Sequence, residues 1–303
     1  KTSMDTITKT YDRAAEDLGN IVGLEHVNLL VPDQRPATLF YVSALGLTRD
    51  PYMMTSVDNM WINVGPKSQF HLPTGKDQRL RGRTALVIPG REQLLKRLGN
   101  MKKPLEGTQY AFKEHNDHIE TTCPWGNTML VYEPGKRFGD MQMGMPYVEF
   151  DVPVGTAKGI AAFYAKVFDT MTKVEKNAAH VSVGKGQELV FKETDKPLPD
   201  YDGHHIQVYV ANFSRPHAAL AKLGAISEES NQYQYRFLDI VDPDSGKKLF
   251  IIEHEVRSIT HPMYLRPLLN RNPRQNNRAY VPGRDGFTPD VEAEELPGRV
   301  RFG

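Results

Sequence analysis

Two histidines stand near the start of similar short segments that lie far apart in the sequence. His205 belongs to the segment 203–210, and His26 belongs to the segment 23–31. In each segment a glycine precedes alternating larger and smaller side chains, which is a pattern typical of a β-strand. If the two strands lie side by side, both imidazoles can point at one centre, and imidazole is a common ligand of divalent transition metals. The two segments therefore indicate a candidate metal site.

The composition narrows the class of partner. The chain has 303 residues, of which 39% are hydrophobic and 25% are charged, as is usual for a globular protein with room for two domains. The formal net charge of +1 argues against a nucleic acid or a membrane surface as partner and favours a small, weakly charged molecule. No apolar run reaches the roughly 18 residues that a membrane span needs. The single Cys123 is typical of a cytoplasmic protein, although a leader cannot be read from a sequence that begins at Lys1.

The histidine segments belong to a longer pattern of helices and strands. Apolar stripes, several of them closed by glycine, predict helices at 37–46, 91–98, 160–168 and 216–223. Alternating and apolar runs predict strands at 24–31, 49–53, 59–64, 69–72, 84–88, 128–133, 146–152, 203–210, 234–239 and 249–253. The first of these groups has the order βαβββ.

The two halves of this pattern are similar. Phe163 and Tyr164 occupy the helix position of Phe40 and Tyr41, and the ending LAKLG at 220–224 repeats LKRLG at 95–99. Both pairs are about 123 to 125 residues apart, which indicates an internal duplication rather than a solenoid of short repeats. The sequence therefore predicts an α+β protein with four βαβββ modules that form two curved mixed-sheet domains.

We predict four parts along the chain. A short amphipathic lead-in covers residues 1–21, one pair of modules covers 22–140, and a second pair covers 141–256. Residues 257–303 are rich in Arg, Asn and Pro and lack periodicity, which predicts an extended C-terminal arm. Such an arm can cross a neighbouring domain or a second subunit, so a homo-oligomer is expected; a partly ordered tail is the alternative.

Three motifs resemble the vicinal oxygen chelate superfamily, which contains glyoxalases, bleomycin-resistance proteins and extradiol dioxygenases. They are the helix end FYVSALGL at 40–47 and the turns before the last strands at 124–127 and 242–246. The resemblance covers residues 22 to about 256. Four modules in one chain are more similar to the type I extradiol and hydroxyphenylpyruvate dioxygenases than to the two-module glyoxalases. Because this scaffold carries several chemistries, the resemblance is more specific for fold than for reaction.

The resemblance implies that metal ligands lie on the first and last strands of paired modules. If the first and fourth modules are partners, as in the hydroquinone-cleaving branch, the ligands are His26, His205 and Glu253. This set is a 2-His-1-carboxylate triad, which leaves positions on Fe(II) open for substrate and dioxygen. The usual extradiol set needs a histidine in the third module, which this sequence lacks. An alternative set therefore combines His205 and Glu253 with Tyr147 or Glu149.

The function that the resemblance implies is a non-haem Fe(II) ring-cleaving dioxygenase, an oxidoreductase that acts on a small dihydroxylated aromatic such as a catechol or hydroquinone. Mn(II) and Zn(II) are the alternative metals. Tyr209 or His254 would handle the proton, while the strand end at His254 and Glu255 is expected to be exposed or to contact the tail. Two alternatives remain open. One is a glyoxalase-like lyase or isomerase that uses a divalent metal on a dicarbonyl substrate, and the other is a metal-free small-molecule-binding protein of the bleomycin-resistance type.

Overall fold

The computed structural model describes residues 10–51 and 58–268. Within these ranges the chain forms four βαβββ units in sequence order. The first contains β1 (Ile21–Asn28), α1 (Gln34–Thr38), a π-helical continuation (Leu39–Ala44), β2 (Thr48–Arg49), β3 (Asn59–Val64) and β4 (Ser68–Pro73). The second contains β5 (Gly82–Val87), α2 (Arg91–Asn100), β6 (Ala111–Glu114), β7 (Ile119–Thr122) and β8 (Thr128–Tyr132).

The second half of the chain repeats this order. The third unit contains β9 (Gly144–Pro153), α3 (Ala157–Phe168), β10 (Thr172–Glu175), β11 (Ala178–Gly184) and β12 (Gln187–Thr194). The fourth contains β13 (His205–Val210), α4 (Ser214–Lys222), β14 (Ile226–Asn231), β15 (Gln234–Val241) and β16 (Lys248–Ser258). Short 3-10 helices occur at Ala14–Glu16 and Lys136–Phe138. No helix in the described ranges is long and apolar enough to cross a membrane.

The strands assemble into two mixed sheets of eight strands each, and each sheet takes one module from each half of the chain. The outer-module sheet joins the first and fourth modules in the order β14-β15-β16-β13-β1-β4-β3-β2. The inner-module sheet joins the second and third modules in the order β10-β11-β12-β9-β5-β8-β7-β6. These two sheets confirm the predicted α+β fold with internal duplication. They also provide the first-with-fourth partnership on which one predicted ligand set depends.

An antiparallel pair of first strands forms the centre of each sheet, β1 with β13 and β5 with β9. The second pair requires glycine where β5 begins. Gly82 has φ +152, and a Cβ atom at this position would collide with the carbonyl oxygen of Glu149. The backbones can therefore approach closely only because residue 82 has no side chain.

Helix α3 lies between the two sheets and fills the space with aromatic rings. Its Phe163 ring is 5.9 Å from Phe237 of β15, and its Tyr164 ring is 5.5 Å from Phe191 of β12. Asp169, in the left-handed conformation with φ 54, ends this helix. Phe237 therefore lies on the face of the outer-module sheet that contacts α3. Because side chains alternate across a strand, its neighbours along β15 point to the opposite face. That opposite face carries the candidate site.

The structure extends or corrects several sequence predictions. Strands β6, β7, β10, β11, β12 and β14 were not identified individually, because several are short edge or near-edge strands rich in exposed charged residues. The last strand does not end at Glu253 but continues to Ser258, paired with β13 and β15. The expectation that His254 and Glu255 are exposed is therefore wrong: both are buried.

The first part of the predicted C-terminal arm packs against the outer-module sheet. The Tyr264 ring lies 4.8 Å from Tyr209 of β13, and Arg266 forms a buried ion pair of 2.9 Å with Asp50. The arm beyond residue 268 and part of the strand predicted at 49–53 lie outside the described residues.

Candidate metal centre

The register of the central strands places polar side chains in two neighbouring rows on one face of the outer-module sheet. His26 pairs with Gln207, and Gln207 pairs with Glu255, so these three form one row across β1, β13 and β16. His205 pairs with Glu253 in the next row. Because residues two apart on a strand share a face, all five side chains point the same way.

Three of these side chains converge. One ligand atom from each of His26, His205 and Glu255 lies within 4.8 Å of the others. All three residues are buried, with exposed fractions of 1%, 8% and 3% respectively. The sequence analysis named Glu253 as the carboxylate of this set. The structure brings Glu255 into the group instead, because β16 continues beyond Glu253 and the row of His26 crosses β16 at Glu255.

The two imidazoles each leave one nitrogen available. The Nε2 atoms of His26 and His205 are buried and have no hydrogen-bond partner within the described chain. A buried polar atom without a partner costs about 1–3 kcal/mol, so such atoms are uncommon unless a ligand, an ion or water satisfies them. The two nitrogens and the Glu255 carboxylate therefore fit a divalent metal, since N and O ligands of this kind bind Fe(II), Mn(II) and Zn(II).

The other nitrogen of each imidazole faces a carboxylate. His26 Nδ1 donates to Glu25 Oε2 at 3.2 Å, and His205 Nδ1 lies 3.5 Å from Glu253 Oε1. A carboxylate on Nδ1 fixes the ring orientation and leaves the lone pair on Nε2, as is usual for histidines that bind metals. Glu253 lies beside the His205 ring at ion-pair distance and forms no hydrogen bond with it in the described chain.

The protonation states suit metal binding. Burial and the neighbouring His26 lower the pKa of His205 to about 3, so its ring is neutral at pH 7. Burial alone would raise the pKa of Glu255, but the charges of Arg257, His26 and Arg236 outweigh it and lower the pKa to about 2. Metal ligands must be deprotonated, and both groups meet this condition.

Two arginines hold the Glu255 carboxylate. Arg236 Nη2 lies 2.6 Å from Oε2, and Arg257 Nη2 lies 2.5 Å from Oε1. Arg236 also reaches Glu253, at 2.5 Å, and Arg257 reaches Glu25, at 3.2 Å. The sequence analysis did not identify Glu25, Arg236 or Glu255 as site residues. The alternation of charged and apolar residues in IEHEVR at 252–257 was the available signal for a continuing strand with one charged face.

Tyr209 lies on the same face, next to the histidines. Its hydroxyl donates to Glu25 Oε1 at 3.2 Å, and burial raises the pKa of Tyr209, so the phenol stays protonated. Tyr209 also borders a cavity of about 620 Å³ together with Glu25, Gln69, Tyr264 and Arg266. This volume lies within the range of small-molecule sites, about 300–1,000 Å³. A ligand in the cavity would touch residues adjacent to the histidines.

His254 lies on the opposite face of β16. Its Nδ1 donates to the carbonyl oxygen of Ile252, and its Nε2 accepts from the Tyr164 hydroxyl. Its ring stacks on Phe237 at 4.3 Å, and burial lowers the pKa of His254 to about 4. These contacts correspond to a packed core histidine, and the structure does not bring His254 together with His26 and His205.

Tyr147 and Glu149 lie on β9 of the inner-module sheet. The Tyr147 hydroxyl is 2.8 Å from that of Tyr132, and Glu149 forms an ion pair with Arg83. Since His205 and Glu253 belong to the other sheet, the alternative ligand set is not brought together. Tyr147 instead borders a cavity of about 560 Å³ in its own sheet.

His71 adds a third imidazole beside the centre. Its ring is 5.9 Å from that of His26 and stacks on Trp61 at 3.7 Å. Its Nε2 is bound to Asn59 Oδ1 at 2.7 Å, and burial together with His26 lowers its pKa to about 2. The Asn59 contact occupies His71, which is consistent with a role as a wall of the site.

Comparisons with known proteins identify the fold. No protein-family model matches the sequence, and none of the curated proteins matches it. A solved structure described as a "putative dioxygenase" from Bacillus subtilis has a TM-score of 0.52 at 15% identity, over 81% of this chain and 87% of that chain. Glyoxalase I from Zea mays has a TM-score of 0.53 at 12% identity, over 78% of this chain and 92% of that chain. The four βαβββ units, the two duplicated sheets and these similarities show that the chain has the vicinal oxygen chelate fold.

Proposed function

We propose that this chain is a metal-dependent ring-cleaving dioxygenase that acts on a small dihydroxylated aromatic. The observation that carries the proposal is the convergence of two buried imidazoles, each with an Nε2 atom that has no hydrogen-bond partner in the described chain, with an ionised carboxylate on one sheet face. Two histidines and one carboxylate are the ligand set typical of non-haem Fe(II) oxygenases. We propose His26, His205 and Glu255 as ligands, with Glu253 beside the His205 ring.

A bound Fe(II) would supply Lewis acidity to a phenolic oxygen and the redox chemistry that dioxygen requires. The residues of the chain do the rest. Tyr209 remains protonated, and a substrate hydroxyl that donates to Glu25 in place of Tyr209 would free the Tyr209 O–H to donate to a substrate oxygen in the adjoining cavity. Burial favours the neutral form of Glu25, but its hydrogen bond with His26 and the charge of Arg257 lower its pKa, so it offers an anionic acceptor beside Tyr209. Donor and acceptor together can orient a diphenol.

The first experiment measures metal and oxygen uptake. Anaerobically purified protein is reconstituted with Fe(II), analysed for iron, and assayed for oxygen consumption with a panel of catechols and hydroquinones. We expect the His26→Ala and His205→Ala variants to lose one equivalent of iron and all oxygen uptake. His217→Ala is the matched control, since His217 lies on α4 and pairs with Glu229. Retention of that iron equivalent in both test variants would refute the proposed centre.

A glyoxalase-like isomerase is the second candidate, and the similarity in fold to glyoxalase I from Zea mays favours it. It would use the same ligands to stabilise an enediolate and would consume no oxygen. A parent protein that binds iron through His26 and His205 but converts dicarbonyl adducts without oxygen uptake would select this candidate. A parent protein that binds no divalent metal would leave a metal-free binding protein instead.

A further inference from the structure

We propose a second divalent-metal site, for an ion such as Zn(II), at the turn between β6 and β7. Its ligands are His115, His118 and Glu120, each of which offers one ligand atom within 4.8 Å of the others. This turn belongs to the inner-module sheet, whereas His26 and His205 lie on the outer-module sheet. The site is therefore independent of the proposed iron centre and of the proposed reaction.

The backbone of the hairpin brings the three side chains together. His115 N donates to His118 O at 2.9 Å, which closes a four-residue turn between the strands. The two imidazole rings stack with centroids 4.5 Å apart and planes 11° apart. His118 directly precedes β7 and Glu120 lies within it, two residues later, and their ligand atoms lie on one side of the hairpin within 4.8 Å of each other. A tight turn thus places two rings and a carboxylate around one point.

Each of these two rings has one nitrogen that is available as a metal ligand. His118 Nδ1 donates to Asp117 Oδ1 at 2.7 Å, so a neutral His118 keeps its lone pair on Nε2. His115 Nε2 is buried and has no hydrogen-bond partner within residues 10–51 and 58–268. The Asp117 contact is the carboxylate–histidine arrangement that orients metal ligands.

Glu120 completes the set as the negative ligand. It lies opposite Lys113 in the β6–β7 register, yet in the described part of the chain it forms no ion pair, while neighbouring Glu114 and Asp117 are paired with Arg91 and Arg137. Two imidazoles and one carboxylate suit Zn(II), Ni(II) or Cu(II) better than Mg(II) or Ca(II), which prefer oxygen ligands. Zn–N distances of about 2.0–2.1 Å require the side chains to draw closer, which their position at a partly exposed turn permits.

A metal at this turn would fasten the edge of the inner-module sheet. Strand β6 is the edge strand of that sheet. The His118 ring lies 5.3 Å from Tyr132, and the Tyr132 hydroxyl bonds to that of Tyr147, which borders the cavity of about 560 Å³. An ion that binds the folded hairpin but not the unfolded chain stabilises the native state by mass action. We therefore expect the ion to raise the melting temperature and to order the wall of that cavity.

The test uses Zn(II) alone as probe and the full chain. Equilibrium dialysis with elemental analysis is run on the parent, His118→Ala, Glu120→Gln and the control His217→Ala. We expect His118→Ala to lose one zinc equivalent and Glu120→Gln to bind that equivalent at least tenfold more weakly, with His217→Ala unchanged. His205→Ala should keep this equivalent, which separates it from the first centre.

A zinc affinity of Glu120→Gln that differs less than tenfold from that of the parent would overturn the site, and so would retention of the zinc equivalent by a folded His118→Ala. Glu120→Gln preserves side-chain shape at a partly exposed strand position, so it still gives a result if His118→Ala does not fold. Zinc-dependent stabilisation provides a second readout. The melting temperature of the parent should rise with zinc, and that of Glu120→Gln should rise less at the same zinc concentration.

Discussion

The exchange of Glu255 for glutamine separates the two candidate carboxylates of β16. The Glu255 side chain is 4% exposed and contacts two arginines, whereas the Glu253 side chain is 22% exposed and contacts one. Glutamine keeps the shape of the side chain and removes its charge, much as protonation does. We therefore expect Glu255→Gln to destabilise the apoprotein and to abolish iron binding. Glu253→Gln should lower the stability of the apoprotein and its iron binding much less.

The magnitude follows from the pKa of Glu255, which is lowered from 4.5 to about 2. One pKa unit corresponds to about 1.4 kcal/mol, so the charged carboxylate contributes about 3 kcal/mol of stability to the apoprotein at pH 7. The loss of one partner of a buried ion pair typically costs a similar amount, about 3–5 kcal/mol. A partly exposed pair such as Glu253 with Arg236 contributes about 1 kcal/mol or less.

The assay is urea unfolding of metal-free parent, Glu255→Gln and Glu253→Gln across a pH series. Because the carboxyl pKa is depressed in the folded state, its contribution is complete above pH 4.5 and disappears as the pH falls through about 2. The free-energy difference between parent and Glu255→Gln should therefore shrink over this interval. A difference that stays constant with pH, or a larger loss of stability and iron in Glu253→Gln, would refute the reasoning.

Two further predictions concern the residues that the sequence analysis named for proton handling. Tyr209→Phe should keep its iron and lower the oxygen-uptake kcat by about a hundredfold, the scale of general acid–base effects; an unchanged kcat would remove Tyr209 from the reaction. His254→Leu should keep its iron and lose about 1–3 kcal/mol of stability, because the buried Tyr164 hydroxyl loses its acceptor; loss of iron in a variant of unchanged stability would instead support a role at the centre.

The sequence predicted the repeated elements because their signals are local. Apolar stripes located the helices that contain Phe40 and Phe163, the first of them also by its glycine end at Gly46, and alternation located the strands of His26 and His205. The choice between Glu253 and Glu255 depended on the pairing of strands that are distant in the sequence. Whether β16 ends at Glu253 or continues is decided by its pairing with β13 and β15, which supply partners as far as Ser258 and Arg257. The charged residues at 253–257 are typical of a solvated strand end, whereas in the structure they form a largely buried network of ion pairs.

The pairing of modules also decides whether the alternative ligand set, with Tyr147 or Glu149, can come together. Tyr147 and Glu149 occupy on β9 a central position comparable to that of His205 on β13, but β9 pairs with β5 of the second module. There Arg83 pairs with both Glu149 and Asp151, and in the described part of the chain no histidine joins these carboxylates in a group that could hold a metal. On the outer-module sheet two arginines also hold the Glu255 carboxylate, but one ligand atom each of His26 and His205 lies within 4.8 Å of a Glu255 oxygen. The duplicated scaffold thus offers a comparable sheet face twice, and the two histidines beside the carboxylate distinguish the copy for which we propose a metal.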